Sequence, residues 1–196
     1  MEVISVLSYF SIFLTIIYVF VVATFIRGWA KLERFKIDGN KPKTKVSVLI
    51  AARNEERLIG KTIDDILAQD YDRSLMEIII IDDHSTDNTS EIISSYAKDG
   101  VKLITLNEAN ALNSYKKKAI QTAINTTTGK LIITTDADCR MGPNWLKTIV
   151  NCYETRGYKM ISSPVAYFEE KSFFERLQTL EFSYLIGLGA STIGNN

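Results

Sequence analysis

The chain has 196 residues, 46% of them hydrophobic, with 23 basic side chains against 23 acidic ones. That length suits one ordinary domain, and the even charge excludes the basic excess of a nucleic-acid binder, so no nucleic-acid partner is expected. The high apolar share with only 10 glycines and 3 prolines excludes disorder, and two cysteines with one histidine build neither a disulfide framework nor a zinc site.

The average hides two different pieces. From Val3 to Ile26 there are 24 residues without a charge. As a helix this stretch measures about 36 Å, enough to cross a hydrocarbon core of roughly 30 Å. A cleaved signal peptide would have a basic start, a shorter apolar run and a small-residue exit. Here the start is acidic (Glu2) and the run ends at Arg27-Gly28-Trp29. Residues 1–27 therefore read as a retained transmembrane anchor. Seven basic residues and two acidic ones fill the stretch from Arg27 to Lys45, while Glu2 is the charge on the other side. The positive-inside bias then puts everything after residue 27 in the cytosol, on a cell-membrane protein that crosses once. Residues 28–44 form a basic juxtamembrane linker suited to anionic head groups. The domain that follows occupies 45–196.

Within it, short apolar runs alternate with helical periodicity. Val46–Ala51 reads as a buried strand, and Glu55 to Gln69 as a helix with positions 58, 59, 62, 63, 66 and 67 on one face. Ile78–Ile81 is a second strand, apolar throughout as a strand buried on both faces should be. A helix from about Asn88 to Lys98 follows, with Ser85 and Asp87 as capping candidates. Val101–Leu106 is a third strand, Ser114 to Ile124 a helix and Leu131–Thr135 a fourth strand. Gly142-Pro143-Asn144 opens another helix, and Met160–Ser163 reads as a fifth strand. From Phe173 to about Ser191 the chain is helical and apolar, interrupted by Glu175, Arg176 and Glu181, which suits an interfacial helix better than a second span. Cys139 and Cys152 read as small, reduced core residues. The alternation predicts an α/β domain: a mostly parallel, Rossmann-like sheet with helices on both faces, preceded by one N-terminal transmembrane helix.

Ligands bind such sheets at the carboxyl ends of the strands. After the first strand comes Arg53-Asn54-Glu55-Glu56, after the second Asp82-Asp83-His84-Ser85-Thr86-Asp87, and after the fourth Asp136-Ala137-Asp138. Crowded carboxylates repel one another unless a cation or a proton neutralises them. No glycine-rich phosphate loop follows any strand, so a phosphate group would need a metal bridge. Hard oxygen ligands select Mg²⁺ or Mn²⁺. Asp136 and Asp138 suit this, since alternate residues beyond a strand end point the same way. His84 reads as a loop residue.

These three motifs, in this order and each after a strand, resemble those of family 2 glycosyltransferases of the GT-A fold, across roughly residues 44 to 190. With the anchor and the Phe173–Ile186 segment, the chain is most similar to membrane-bound, polysaccharide-synthase-like members. The resemblance implies transfer of a sugar, with inversion, from a nucleotide diphosphate sugar to an acceptor hydroxyl at the cytoplasmic face of a membrane. The donor it implies is a UDP-sugar, the acceptor a glycan or a lipid-linked group, and the cofactor Mn²⁺ or Mg²⁺.

Residue by residue, it places Asp83 on the uracil N–H and Ala51 and Arg53 along the base. Asn54 and Glu55 match the pair that closes the first strand, and Glu55 belongs to the nucleotide-binding set. Lys116-Lys117-Lys118 falls where relatives keep a basic residue near the nucleotide, so Lys117 and Lys118 join the nucleotide set. Asp136 resembles the acid on the ribose side and shares the metal with Asp138. The family's catalytic base lies in a later acidic motif, expected beyond Asn196. The chain is thus expected to be the donor and metal half, binding nucleotide with little or no transfer by itself. The alternative is a membrane-tethered nucleotide-sugar-binding module or inactive paralogue. A nucleotidyltransferase would need a glycine- and basic-rich loop after the first strand, and a receiver-like domain would leave Asp136 and Asp138 unexplained.

Overall fold

The computed structural model of the chain describes residues 2–33, 35–36, 39, 41–106, 120–121, 123–167 and 170–194. Contacts divide it into two units: Ile37–Ile161, and Met1–Lys36 together with Ser162–Asn196.

Among the described residues, the first unit has four parallel strands: β1 (Val46–Ala52), β2 (Met76–Asp82), β3 (Val101–Thr105) and β4 (Leu131–Asp136). Their order across the sheet is β3-β2-β1-β4. β1 and β2 are the central pair and are almost entirely buried. Their β-branched residues suit a pleated surface covered on both sides. Alternation divides them between two cores. Val46, Val48, Ile50 and Ala52 join Ile78 and Ile80 under three helices, α2 (Ile59–Leu67), α3 (Thr89–Ser95) and α4 (Trp145–Arg156). Leu49, Ile79 and Ile81 face the other way, with Leu106 and Ala123. From α2, Ile59, Ile63 and Ile66 are fully buried, each stabilising the fold by about 1.5–3 kcal/mol.

At the amino-terminal edge of the sheet a buried carboxylate on β2 ties β1, β3 and the segment leading into β4. Glu77 accepts from the Ser47 hydroxyl (2.7 Å), the Lys102 ammonium (2.7 Å) and the Thr128 amide (2.9 Å). Ser47 Oγ in turn accepts from the Gly129 amide at 2.9 Å. Burial by itself would raise Glu77, but these bonds outweigh it and bring its pKa from 4.5 down to about 2. Gly129 is required by contact: a β-carbon there would lie 2.5 Å from the Ser47 nitrogen.

Several expected boundaries shift. The helix expected from Glu55 starts only at Ile59, because Asn54 adopts φ 55° and the next two amides donate to Thr89 at the start of α3 and to Asp87 just before it. α3 ends at Ser95 and passes through a 3₁₀ turn, Ala97–Asp99, into β3. Of its two capping candidates, Asp87 accepts from the Thr89 amide at 3.0 Å, whereas Ser85 is turned to Asn54. Met160–Ser163 forms no strand. Met160 is 86% exposed, and two apolar residues bury too little to hold an edge strand. Cys139 and Cys152 are half-buried free thiols rather than core residues. Of the helix expected over Ser114 to Ile124, residues 120–121 and 123–124 are helical, and the remainder, with Lys116, Lys117 and Lys118, lies outside the described residues.

The second unit pairs two helices, α1 (Glu2–Lys31) and α5 (Phe173–Gly194). The stretch Ile4–Lys31 is long and apolar enough to cross a membrane, and its most apolar 18-residue window has no buried residue. α5 opens with a capping box. The Ser172 amide donates to Glu175 (2.9 Å) while the Glu175 amide donates to the Ser172 hydroxyl (3.1 Å). The two helices approach closely at glycines, since a β-carbon on Gly194 would overlap the Gly28 carbonyl oxygen.

Candidate active site

The chain runs from β1 through β2 to β3 in one direction, and β4 returns to the other side of β1. In open α/β sheets that reversal marks the ligand crevice, at the carboxyl ends of the strands. The register brings three sequence motifs to this edge. Ala52 pairs with Asp82, and Ala51 pairs with Asp136. The segments containing Asp83 and Asp138 therefore leave the sheet at the same level on either side of the one containing Arg53, each about 5 Å from it and about 10 Å from one another.

The loops after β1 and β2 are knitted together. Asn54 donates its amide to Ser85 Oγ (3.0 Å), and its side-chain oxygen accepts from the Thr86 amide (2.8 Å). Glu55 donates its amide to Thr89 Oγ1 (2.8 Å), and Glu56 accepts from Asn88 through both the amide and the side-chain nitrogen. Two non-glycine residues here take left-handed conformations, Asn54 (φ 55°) and His84 (φ 59°). Such positions cost energy and cluster at functional loops.

The adjacent acids after β2 divide their tasks. Asp82 is buried and spends its carboxylate on its own loop, accepting from the Ser85 amide and the Ser90 hydroxyl. Asp83 donates its amide to the Ala52 carbonyl (2.8 Å), which links the ends of the two strands, and its carboxylate lies 2.9 Å from His84 Nδ1. His84 lies on the loop as expected, with this contact to Asp83 as its side-chain partner there.

Past β4, Ala137 is buried and the acids on either side of it are exposed. One oxygen each of Asp136 and Asp138 and the Cys139 sulfur lie within 4.8 Å of one another. Cys139 was missed by sequence reasoning, since a thiol one residue past a pair of acids has no pattern of its own. Glu55, half-buried on the β1 loop, has its pKa raised, first by burial and then by the charges of Asp138, Asp87 and Asp136. The negative field of the β4 loop thus reaches across to the β1 loop. The two exposed carboxylates are a hard-oxygen donor pair that suits a divalent ion of the Mn²⁺ or Mg²⁺ type, whereas the half-buried Cys139 thiol beside them is a softer ligand than these ions prefer. Ala51 is half-buried and Arg53 is exposed beside this crevice.

Comparison with known proteins agrees with this architecture. Residues 47–193 match the family model described as Glycosyl transferase family 2. A beta-monoglucosyldiacylglycerol synthase of Nostoc sp. is 33% identical over 119 residues, which cover 61% of this chain and 25% of that protein. An undecaprenyl-phosphate 4-deoxy-4-formamido-L-arabinose transferase of Yersinia pestis is 33% identical over 133 residues, covering 63% and 38%. The chain therefore spans well under half the length of these relatives. Among solved structures, the mannosyltransferase PcManGT of Pyrobaculum calidifontis, in complex with GDP-Man and Mn²⁺, superposes with a TM-score of 0.56 at 26% identity, over 67% of this chain and 39% of that one. A Staphylococcus aureus TarS structure shares the fold with a TM-score of 0.52 at 21% identity, over 64% and 40%. With its parallel α/β sheet, its acidic loops at one crevice and this match over most of its length, the chain belongs to glycosyl transferase family 2.

Proposed function

We propose that the chain binds a nucleoside diphosphate sugar at the carboxyl ends of β1, β2 and β4 and serves its transfer, with inversion, to a glycan or lipid-linked acceptor at the cytoplasmic face of a membrane. The observation that carries this reading is the shared negative field of Asp136, Asp138 and Glu55, delivered by two loops to one crevice. Asp136 and Asp138 would hold Mn²⁺ or Mg²⁺, which when bound neutralises a diphosphate leaving group. The GDP-Man and Mn²⁺ bound by PcManGT support that donor class and ion.

The chain's own residues have distinct tasks in this reading. Asp83, oriented by His84, accepts from an N–H of the nucleotide base. Ala51 and Arg53 flank the base. Asp136 reaches the ribose side, Asp138 is directed to the metal, and Lys117 and Lys118 belong to the nucleotide-binding set. Both relatives named above act on lipids by their names. An apolar α1 followed by a basic segment would keep such an acceptor and the crevice on one membrane surface.

Calorimetry of the full chain in detergent, with UDP and with GDP, tests the reading. One of the two is expected to bind in Mn²⁺ and to lose most of its affinity in EDTA. Asp138→Ala should abolish the metal-dependent part, while Asp83→Ala weakens nucleotide and leaves the metal dependence intact. Equal nucleotide affinity in Mn²⁺ and in EDTA would remove the metal role.

A further inference from the structure

Thr62 occupies a core-facing position of α2 and is fully buried. Its hydroxyl donates to the Ala137 carbonyl (2.7 Å) and also lies 3.0 Å from the Cys139 carbonyl. One turn on, Asp65 accepts from the Arg140 guanidinium through two bonds (2.6 and 2.9 Å) and from the Met141 amide (3.1 Å). Burial alone would raise Asp65, yet the bond from Arg140 is the larger influence and lowers its pKa. Just past the helix, Gln69 donates to the Gly142 carbonyl (2.9 Å) and accepts from the Leu146 amide (2.9 Å). Positions 62 and 65 lie on one side of the helix, and Gln69, just beyond its end, extends that row. The row grips main-chain groups from 137 to 146.

The consequence falls on Asp138. A residue's direction is set by two soft dihedrals, which lie between its two flanking peptide planes. The plane before Asp138 contains the Ala137 carbonyl, held by Thr62. The plane after it contains the Cys139 amide, which donates back to the Asp136 carbonyl at 3.4 Å. Both planes are therefore tied, one of them to the buried core of α2. We infer that Thr62 and Asp65 are positioning residues that fix Asp138, and with it the spacing of the Asp136/Asp138 pair, for metal. This rests on the metal reading above. It adds that the affinity of the pair is set from α2 rather than by the acids alone.

Residues that orient metal ligands typically alter affinity by about 10- to 100-fold when removed. The test titrates Mn²⁺ into the full chain in detergent and follows free Mn²⁺ by electron paramagnetic resonance. Thr62→Val, which keeps the shape and removes the hydroxyl, should weaken Mn²⁺ by about tenfold or more. Thr62→Ser, which restores the donor, should return to wild-type affinity. Asp65→Asn should weaken Mn²⁺ as well, and serves by itself should Thr62→Val not fold. Glu77→Gln, at the opposite edge of the sheet, controls for lost stability and should leave Mn²⁺ affinity unchanged. Wild-type affinity in both folded Thr62→Val and Asp65→Asn, with Asp138→Ala inactive in binding, would overturn the positioning role alone. Absence of Mn²⁺ binding by the wild-type chain would overturn this inference and the metal reading together.

Discussion

Asn54 and Thr86 stand 32 positions apart in sequence and are joined at 2.8 Å, the Asn54 side-chain oxygen accepting from the Thr86 amide. The same Asn54 takes φ 55°, so one residue supplies both a left-handed corner and a clasp between two loops. Two substitutions separate these tasks. Asn54→Gly keeps the backbone freedom and loses the clasp, whereas Asn54→Ala loses both. Thermal unfolding should show Asn54→Gly destabilised by about 1 kcal/mol and Asn54→Ala by about 2–3 kcal/mol. Equal losses would mean that the backbone corner contributes nothing.

Glu77 gives the fold an acid limit. Its carboxyl titrates near 2 in the folded chain against 4.5 ordinarily. A depressed carboxyl stabilises the folded state above its ordinary pKa, and that contribution is lost as pH falls through the folded value. About 3 kcal/mol should therefore disappear between roughly pH 5 and pH 2. Melting temperature followed across that range in wild type and Glu77→Gln checks this. The two curves should converge at the acid end, and parallel curves would contradict the assignment.

Gly129 should tolerate no side chain. A β-carbon would meet the Ser47 nitrogen at 2.5 Å and the Val46 carbonyl carbon at 2.6 Å. Both belong to the backbone of β1, one of the two central strands, and cannot step aside without breaking the ladder. Gly129→Ala is expected to cost about 3 kcal/mol or more, visible as loss of the cooperative transition or of soluble protein.

Glu55 should show opposed effects on stability and binding. Its raised pKa reflects burial together with repulsion from Asp138, Asp87 and Asp136. Removing its charge in Glu55→Gln should raise the melting temperature without added metal, by an amount worth less than about 1 kcal/mol. The same change should weaken Mn²⁺ in the resonance titration, because the crevice loses negative potential. A variant that is less stable without metal would argue against repulsion at this position.

The four strands and their parallel order were legible because runs such as Ile78–Ile81 are apolar on both faces, which few structures other than a covered parallel strand permit. The acids after β1, β2 and β4 were legible for a related reason: strand ends fix where their loops must lie. What escaped was carried by contacts between distant segments. The late start of α2 follows from bonds to Thr89 and Asp87, which no local propensity encodes. Thr62 counted as one more position on an apolar face, yet a hydroxyl at a fully buried helical site has to be satisfied, and that was the available signal. His84 and Cys139 gained their places only once the loops were folded against one another.

The central position of β1 has a consequence for biosynthesis. One side of β1 can pair with β2 as soon as residue 82 is made, but the other side waits for Leu131–Asp136. During that interval the nascent chain exposes an unpaired, strongly apolar strand border, the kind of template on which polypeptides aggregate. Synthesis beside a bilayer, or capture by a chaperone, would shield this border until the last strand zips into place.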